Sequence, residues 1–232
     1  ECSRIYGEVI PLDVANAPAG RLGMVRHVPV GPVLAVTPFN FPLNLVAHKV
    51  APAIAAGCPV LLKPASATPL TALRLARIVE EAGLPAGALS VLPIRGEEAG
   101  ALAGRPEVRA VTFTGSAPVG WELRRRAFRK KTALELGGNA AVIVHDDWPD
   151  LERAADRIVT GAFAFSGQVC ISVQRVYLHR RIAGRLREAI LSRAASLRAG
   201  DPLDEATEIG PMIDEEEARR VEAWLREAVE AG

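Results

Sequence analysis

The chain contains 232 residues, of which 49% are hydrophobic and 24% are charged. This composition supplies enough apolar side chains for a packed core and excludes an intrinsically disordered protein. The formal net charge is only +1 and no block of like charges stands out, so neither a nucleic-acid-binding protein nor a membrane-surface protein is indicated.

Prolines and cysteines restrict the setting further. The longest uncharged stretch, residues 28–47, contains four prolines and therefore does not predict a transmembrane helix. Cys2, Cys58 and Cys170 are odd in number and widely separated, which indicates neither a disulfide framework nor a CxxC metal site and favours a reducing, cytoplasmic location. Because the sequence begins without a methionine and stops inside a helical pattern, we expect it to be part of a longer chain.

The element pattern changes at residue 31. Residues 1–30 are polar and rich in turn residues, with short extended runs at 8–11 and 21–28 that predict a β-hairpin arm. Beyond them the predicted strands cover residues 33–36, 60–62, 90–92, 108–113, 132–136, 141–144 and 174–179. The predicted helices cover residues 43–56, 68–82, 97–104, 116–130, 150–165, 182–199 and 214–230. This alternation predicts an α/β fold with a parallel sheet covered by helices on both faces.

A domain junction is predicted at the paired glycines Gly137 and Gly138, because glycine permits backbone bends that other residues resist. A second α/β unit follows this junction. The sequence contains no internal repeat and no coiled-coil heptad pattern.

Three positions carry groups suited to covalent or acid–base chemistry. Cys170 follows a glycine-containing loop and is interpreted either as a nucleophile or as a buried cysteine, the commoner fate of an isolated thiol. Glu135, in a predicted apolar strand just before two glycines, either caps a polar network or acts as a general base. Asn40 lies just past the first strand of the predicted sheet, where open α/β sheets bind ligands, although asparagine in a turn is more often structural.

Two further motifs suit a phosphate-containing ligand. Gly115 and Ser116 connect a predicted strand to a helix whose N-terminus offers N–H groups to a phosphate, but neither a GxGxxG nor a GxxxxGK motif is present. Lys63 ends another predicted strand in a chain whose 28 basic residues include only four lysines. A lysine retained there indicates a compact charge or a solvated side chain. His145 and His179 are predicted to be surface or structural residues.

Taken in order, the segments PFNFP, LKPAS, FTGS, ELGG and SGQVC resemble the motifs of the aldehyde dehydrogenase superfamily over nearly the whole chain. The resemblance implies a β-hairpin oligomerisation arm (1–30), part of a Rossmann-like NAD(P)-binding domain (31–137) and the N-terminal part of an α/β catalytic domain (138–232). Members of the family are longer, so further segments are expected at both ends. The family's arm pairs across subunits, which implies a homodimer or homotetramer.

The resemblance also implies a reaction on a small-molecule aldehyde. Cys170 is expected to attack the aldehyde, and Asn40 to stabilise the oxyanion of the resulting thiohemiacetal. After hydride transfer to NAD or NADP, Glu135 is expected to activate water for thioester hydrolysis. Relatives that transfer the acyl group to coenzyme A usually lack this glutamate. Transfer to coenzyme A and a non-catalytic binding or structural role remain the alternatives.

Cofactor and substrate contacts follow from the same resemblance. Its expected cofactor-binding residues are Thr37, Pro38, Phe39, Lys63, Ser66, Gly115 and Ser116. Its expected substrate-tunnel residues are Phe41, Leu45, His48, Phe165 and Val169. Family members strict for NAD commonly carry a glutamate at the position of Ser66, so this neutral serine predicts use of both cofactors. Val169 stands where relatives acting on phosphorylated aldehydes can carry arginine, which argues against a phosphate-bearing substrate.

Overall fold

The computed structural model describes residues 7–11 and 22–232. It divides into two compact units, one ending at Leu136 and the other spanning Gly137–Gly232. No helix in these described ranges is both long enough and apolar enough to cross a membrane.

A two-stranded antiparallel hairpin opens the first unit. Its strands are β1 (Glu8–Pro11) and β2 (Leu22–Val25), with Glu8 opposite Val25. The second strand is predicted to reach residue 28 but ends at Val25. Val25 pairs with Glu8, which is the first residue of β1. The other predicted arm residues, 1–6 and 12–21, lie outside the described residues.

Five parallel strands form the sheet of the first unit, in the order β5-β4-β3-β6-β7. They are β3 (Val33–Val36), β4 (Val60–Lys63), β5 (Leu89–Val91), β6 (Ala110–Thr114) and β7 (Lys131–Glu135). The predicted α/β class and parallel sheet are thus confirmed. β3, the first of these five strands along the chain, lies in the centre of the sheet. The strand order reverses beside it, as in doubly wound folds that bind nucleotides.

Helices cover both faces of this sheet. They are α1 (Asn44–Ala55), α2 (Leu70–Glu81), α3 (Gly96–Gly104) and α4 (Ala117–Arg126). All four residues of β3 are buried, and alternate side chains enter different cores, as the period of two in a strand requires. Leu34 joins the core that contains Ala103 of α3, whereas Ala35 joins the core that contains Val46 of α1.

Helix α4 ends four residues before the predicted limit at residue 130. Arg129 adopts a φ of 64°, which is incompatible with a continuing right-handed helix. The following Lys130 donates its backbone N–H to Ala127 and its ammonium to the carbonyl of Ala103, at 3.0 and 2.7 Å. These bonds fold the chain back toward α3.

Two parallel strands and three helices form the second unit. The strands are β8 (Ala140–Val144) and β9 (Val173–Leu178), and the helices are α5 (Leu151–Phe163), α6 (Ala183–Ala195) and α7 (Glu215–Ala231). Val144, Ile158 and Leu186 are buried in a common core. Helix α6 is predicted to reach residue 199 but ends at Ala195, and Ala199 instead forms an isolated bridge with Ile209.

Candidate active site

Most of the predicted cofactor-binding residues lie at one edge of the five-stranded sheet. Thr37 directly follows β3, and Gly115 directly follows β6, the two strands between which the strand order reverses. Lys63 ends the neighbouring strand β4. In open α/β sheets the crevice beyond the carboxyl ends at such a reversal is the usual ligand site. The sheet topology therefore brings three separate sequence motifs to a position suited to a ligand.

The loop after β3 is held by the next strand and its loop. The backbone N–H of Thr37 donates to the carbonyl of Lys63 at 3.1 Å, and the hydroxyl of Thr68 donates to the carbonyl of Phe39 at 3.4 Å. The side-chain oxygen of Asn40 accepts the backbone N–H of Phe41 at 3.1 Å. These bonds fix the backbone from residue 37 to 41 and orient the Asn40 amide.

One buried polar atom in this loop lacks a protein partner. The Thr37 side chain is buried, and its hydroxyl oxygen has no hydrogen-bond partner among the described residues. An unsatisfied buried hydroxyl is energetically unfavourable and marks a place where a ligand atom or water completes the site.

Lys63 and Ser66 form a polar pair at the end of β4. The Lys63 ammonium donates to the Ser66 hydroxyl at 3.3 Å. The lysine is buried whereas the serine is exposed, and burial lowers the pKa of Lys63 below its ordinary value. The pair presents a compact charge together with a neutral hydroxyl.

Glycine at position 115 permits a close turn into α4. A Cβ there would lie 2.6 Å from the ring of Phe113, so a larger residue would displace the turn. The Gly115 N–H donates to the carbonyl of Glu135 at 3.1 Å. Ser116 is the N-cap of α4 and makes no side-chain capping bond. The Ser116 side chain thus leaves the first turn of α4 uncapped, and the N–H groups of such a turn are suited to an anionic group.

Glu135 and Lys49 bring opposite charges to the same part of this unit. Glu135 is the last residue of β7, and its side chain is exposed. Lys49 is buried on α1 and donates to the hydroxyl of Thr112 at 3.0 Å. Burial lowers the Lys49 pKa to about 8, and the negative charge of Glu135 partly opposes this effect.

The sequence analysis did not single out Lys49 as a site residue. A usable signal was present, because Lys49 lies between Val46 and Val50 on the buried face of α1. A charged residue within an apolar helical stripe is rarely buried without a specific partner.

Cys170, in the second unit, follows a loop with an unusual backbone. Helix α5 is predicted to reach residue 165 but ends at Phe163, because Phe165, Ser166 and Gly167 adopt left-handed φ angles of 53°, 58° and 73°. This conformation is unfavourable by roughly 1–2 kcal/mol for each non-glycine residue. The surrounding structure must therefore stabilise it.

Two side chains of this loop are fixed to the segment that precedes α7. The Ser166 hydroxyl donates to the carbonyl of Gly210 at 2.6 Å. The Gln168 side chain accepts the backbone N–H of Ile213 at 3.0 Å and donates to the carbonyl of Phe165 at 3.1 Å. These bonds hold the loop on both sides of Gly167.

The Cys170 side chain is exposed, whereas the other described cysteine, Cys58, is buried. A Cβ at Gly138 would lie 3.0 Å from the Cys170 carbonyl oxygen, so glycine there permits the close approach of the Cys170 backbone. The thiol belongs to an anchored loop and not to a packed core. Its exposure in the described residues favours the nucleophile over the buried cysteine, and the role of Cys170 stays a prediction.

The predicted tunnel residues fall in both units. Leu45 and His48 belong to α1, with Phe41 three residues before it. Phe165 and Val169 belong to the loop before Cys170, where Phe165 is exposed and Val169 is half-buried. Their assignment to a substrate tunnel stays a prediction.

Comparisons with known proteins agree with the predicted family. A profile of the aldehyde dehydrogenase family matches residues 1–232. The 3-sulfolactaldehyde dehydrogenase of Priestia aryabhattai is 50% identical over 233 residues, which cover 100% of this chain and 49% of that protein.

Solved structures give the same result. Aldehyde dehydrogenase 21 from Physcomitrella patens, in complex with the reaction product succinate, is 48% identical with a TM-score of 0.92; the match covers 100% of this chain and 48% of that one. Glyceraldehyde-3-phosphate dehydrogenase GapN from Methanocaldococcus jannaschii, complexed with NADP, is 40% identical with a TM-score of 0.90 and coverages of 100% and 50%. The chain therefore spans about half the length of the relatives it matches.

The lowered pKa of Lys49 predicts how stability changes with pH. Between a folded pKa of about 8 and the ordinary value of 10.5, the unfolded chain binds more protons at this lysine than the folded chain, so the free energy of unfolding rises with pH in that window. The stability of the wild type relative to Lys49→Met should therefore increase from pH 8 to pH 10. Urea unfolding of both proteins across this range measures the difference.

Lys131→Met is the matched control, because Lys131 is exposed on β7. It measures the effect of removing an exposed lysine from the same unit. A stability difference for Lys49→Met that does not change between pH 8 and pH 10 would contradict the lowered pKa of Lys49.

Proposed function

Because the chain belongs to the aldehyde dehydrogenase family, we propose that the whole protein oxidises an aldehyde to a carboxylic acid with NAD or NADP. The observation that carries the proposal is the exposed thiol of Cys170 at the end of a strained loop held by side-chain hydrogen bonds. A reactive cysteine needs access to its substrate and a fixed position. The Cys170 thiol is exposed, and the loop before it is held by hydrogen bonds within the second unit.

Cys170 forms the covalent bond to the substrate. Its thiolate sulfur attacks the aldehyde carbon, and the carbonyl oxygen becomes an oxyanion on a thiohemiacetal. We assign the Asn40 side-chain N–H and the backbone N–H of Cys170 as the donors that stabilise this charge. The hydrogen bond from the Phe41 backbone N–H to the Asn40 side-chain oxygen supports this role for Asn40, because it orients the amide group.

Glu135 is assigned as the base that completes the reaction. Loss of hydride from the thiohemiacetal carbon leaves a thioester, and a water molecule deprotonated by the Glu135 carboxylate attacks its carbonyl carbon. The C–S bond then breaks, and a carboxylic acid and the free thiol result. The exposed position of the Glu135 side chain at the end of β7 supports this role. The presence of a glutamate at this position favours hydrolysis over transfer to coenzyme A.

The cofactor, when bound, supplies the hydride acceptor. The residues at the carboxyl edge fit such a group, because the Thr37 hydroxyl is buried without a partner among the described residues and the Ser116 side chain leaves the first turn of α4 uncapped. We assign the pyrophosphate to Gly115 and Ser116, and the adenosine ribose to Lys63 and Ser66. Backbone groups of residues 37–39 are assigned to the nicotinamide end.

We further propose that the aldehyde substrate carries one acidic group, a carboxylate or a sulfonate, elsewhere in the molecule. The names and ligands of two matched relatives support this choice, since they include a sulfolactaldehyde and the dicarboxylate succinate. A panel that pairs aldehydes bearing a terminal carboxylate or sulfonate with uncharged aldehydes of equal length tests it. Higher kcat/KM for the anionic members is expected, and equal values across each pair would refute it.

Assembly and location complete the proposal. The β1–β2 hairpin supports a homodimer or homotetramer joined through this arm, and light scattering of the whole protein tests it. The free thiols of Cys58 and Cys170 support a reducing, cytoplasmic location.

Replacement of the nucleophile tests the covalent mechanism. Cys170→Ala should abolish aldehyde oxidation, measured by reduced-nicotinamide absorbance, while cofactor binding measured by fluorescence titration changes little. Cys58→Ala removes the same thiol from a buried position in the first unit and should keep its turnover. Normal turnover in Cys170→Ala would exclude the thiohemiacetal.

Replacement of the base separates hydride transfer from hydrolysis. Glu135→Gln should give a rapid burst of reduced cofactor, near one equivalent per active site, followed by slow turnover, because a neutral amide cannot accept a proton from water. Stopped-flow absorbance resolves the two phases. The exposed Glu81→Gln on α2 is the control, and fast steady-state turnover of Glu135→Gln without a burst would assign the base elsewhere.

The Lys63–Ser66 pair predicts use of NADP as well as NAD. A carboxylate at position 66 would neutralise Lys63, whose ammonium lies 3.3 Å from the present hydroxyl, and would repel a 2′-phosphate. Ser66→Glu should therefore lower kcat/KM for NADP relative to NAD by about tenfold or more, equivalent to roughly 1.4 kcal/mol.

Ser66→Gln is the control, because it adds similar bulk without charge and should preserve the ratio of the two kcat/KM values. Rejection of NADP by the wild-type protein would show that residues outside this pair set the cofactor preference.

A further inference from the structure

Two histidines meet at the carboxyl ends of the strands in the second unit. Val144 and Leu178, the last residues of β8 and β9, lie opposite each other in the parallel pair. His145 and His179 each follow one of these residues, and the backbone N–H of His179 donates to the carbonyl of Val144 at 2.9 Å. Their ring centroids are 4.9 Å apart. Strand register thus pairs two imidazoles that are 34 residues apart in the sequence.

The carboxylate of Asp146 contacts both rings. One oxygen of Asp146 is 2.9 Å from Nδ1 of His145, and the other is 3.5 Å from Nδ1 of His179. One ligand atom from each of these three residues lies within 4.8 Å of the other two. Asp147 contributes a second carboxylate, with an oxygen 3.3 Å from Nδ1 of His145. The donors are thus close enough to converge on one ion after small side-chain rotations.

We propose that His145, Asp146 and His179 bind a divalent transition-metal ion of the zinc type. Two neutral imidazoles and a carboxylate suit Zn²⁺ and its first-row neighbours, whereas Ca²⁺ and Mg²⁺ prefer sets made entirely of oxygen donors. Asp147 or a water molecule completes the coordination. None of these residues has a role in the proposed oxidation of aldehydes, so the metal site stands independently of it.

Arg181 competes with the metal for Asp146. Its guanidinium lies 3.1 Å from the same Asp146 oxygen that faces His179, yet 80% of its side chain is exposed compared with 19% for Asp146. The arginine can therefore turn toward solvent when an ion binds, while the carboxylate stays beside the imidazoles. The bound ion would join the ends of β8 and β9 and stabilise the second unit by mass action.

Metal titration of the whole protein tests the site. The protein is prepared without an affinity tag and with Cys170→Ser, since a thiolate also binds zinc. Isothermal titration with Zn²⁺ should show one ion per chain, and Co²⁺ should give visible absorption bands of a site without sulfur ligands. His179→Gln should weaken zinc binding by about tenfold or more. Loss of a residue that merely supports a ligand commonly has an effect of this size, and His179 is proposed as a ligand itself.

Three further variants make the result specific. His145→Gln alters an exposed side chain and should weaken zinc binding similarly without disturbing the fold, which circular dichroism checks. Arg181→Gln should tighten binding, because it removes the competing cation from Asp146. His27→Gln, at an exposed histidine outside the cluster, should change nothing.

Four results would overturn the proposal. They are absence of zinc binding by the Cys170→Ser protein, wild-type affinity in both His145→Gln and His179→Gln, unchanged or weaker binding in Arg181→Gln, and loss of binding in His27→Gln.

Discussion

Parallel pairing around β3 is the constraint on which the first unit depends. Val36 lies opposite both Lys63 and Phe113 in the register of the sheet. The loops that follow β3 and β4 therefore start at the same level, and the loop that follows β6 starts one residue further along. A slip of one residue would turn every buried side chain of β3 toward the other face. Because both faces of β3 are packed against helices, the core fixes the register of the strands. The register in turn fixes the relative positions of the loops at the carboxyl ends of the strands.

The first unit also buries two lysine side chains. Lys49 and Lys63 are both buried, and desolvation lowers the pKa of each. A buried lysine destabilises the fold while it is charged, so core packing does not explain either residue. Both lie in the unit that carries Glu135 and the sheet's ligand edge, and perturbed groups of this kind cluster at functional sites.

Sequence reasoning located the strands and their motifs better than the ends of the helices. Apolar runs bounded by glycine and proline predicted β3 with its observed limits, and the motif residues follow or end strands as expected. The predicted ends of α4 and α5 were wrong because left-handed residues, Arg129 and Phe165, follow these helices. Their neighbours Lys130 and Ser166 bond to residues far away in the sequence, which local patterns do not reveal. The pairing of His145 with His179 was equally invisible, since it follows from strand register and not from spacing.

Each unit fixes its own reactive group with bonds from its own residues. The Cys170 loop is held to residues 210–213 of the second unit, whereas the Lys63–Ser66 pair and the β3 loop are held within the first. A strained backbone conformation persists only where surrounding bonds stabilise it. The hydrogen bonds of Ser166 and Gln168 to residues 210–213 therefore fix the backbone that leads to Cys170. The Lys63–Ser66 pair and the proposed nucleophile Cys170 are therefore held by separate sets of hydrogen bonds. Substitutions of Ser66 are expected to leave the local geometry of Cys170 unchanged.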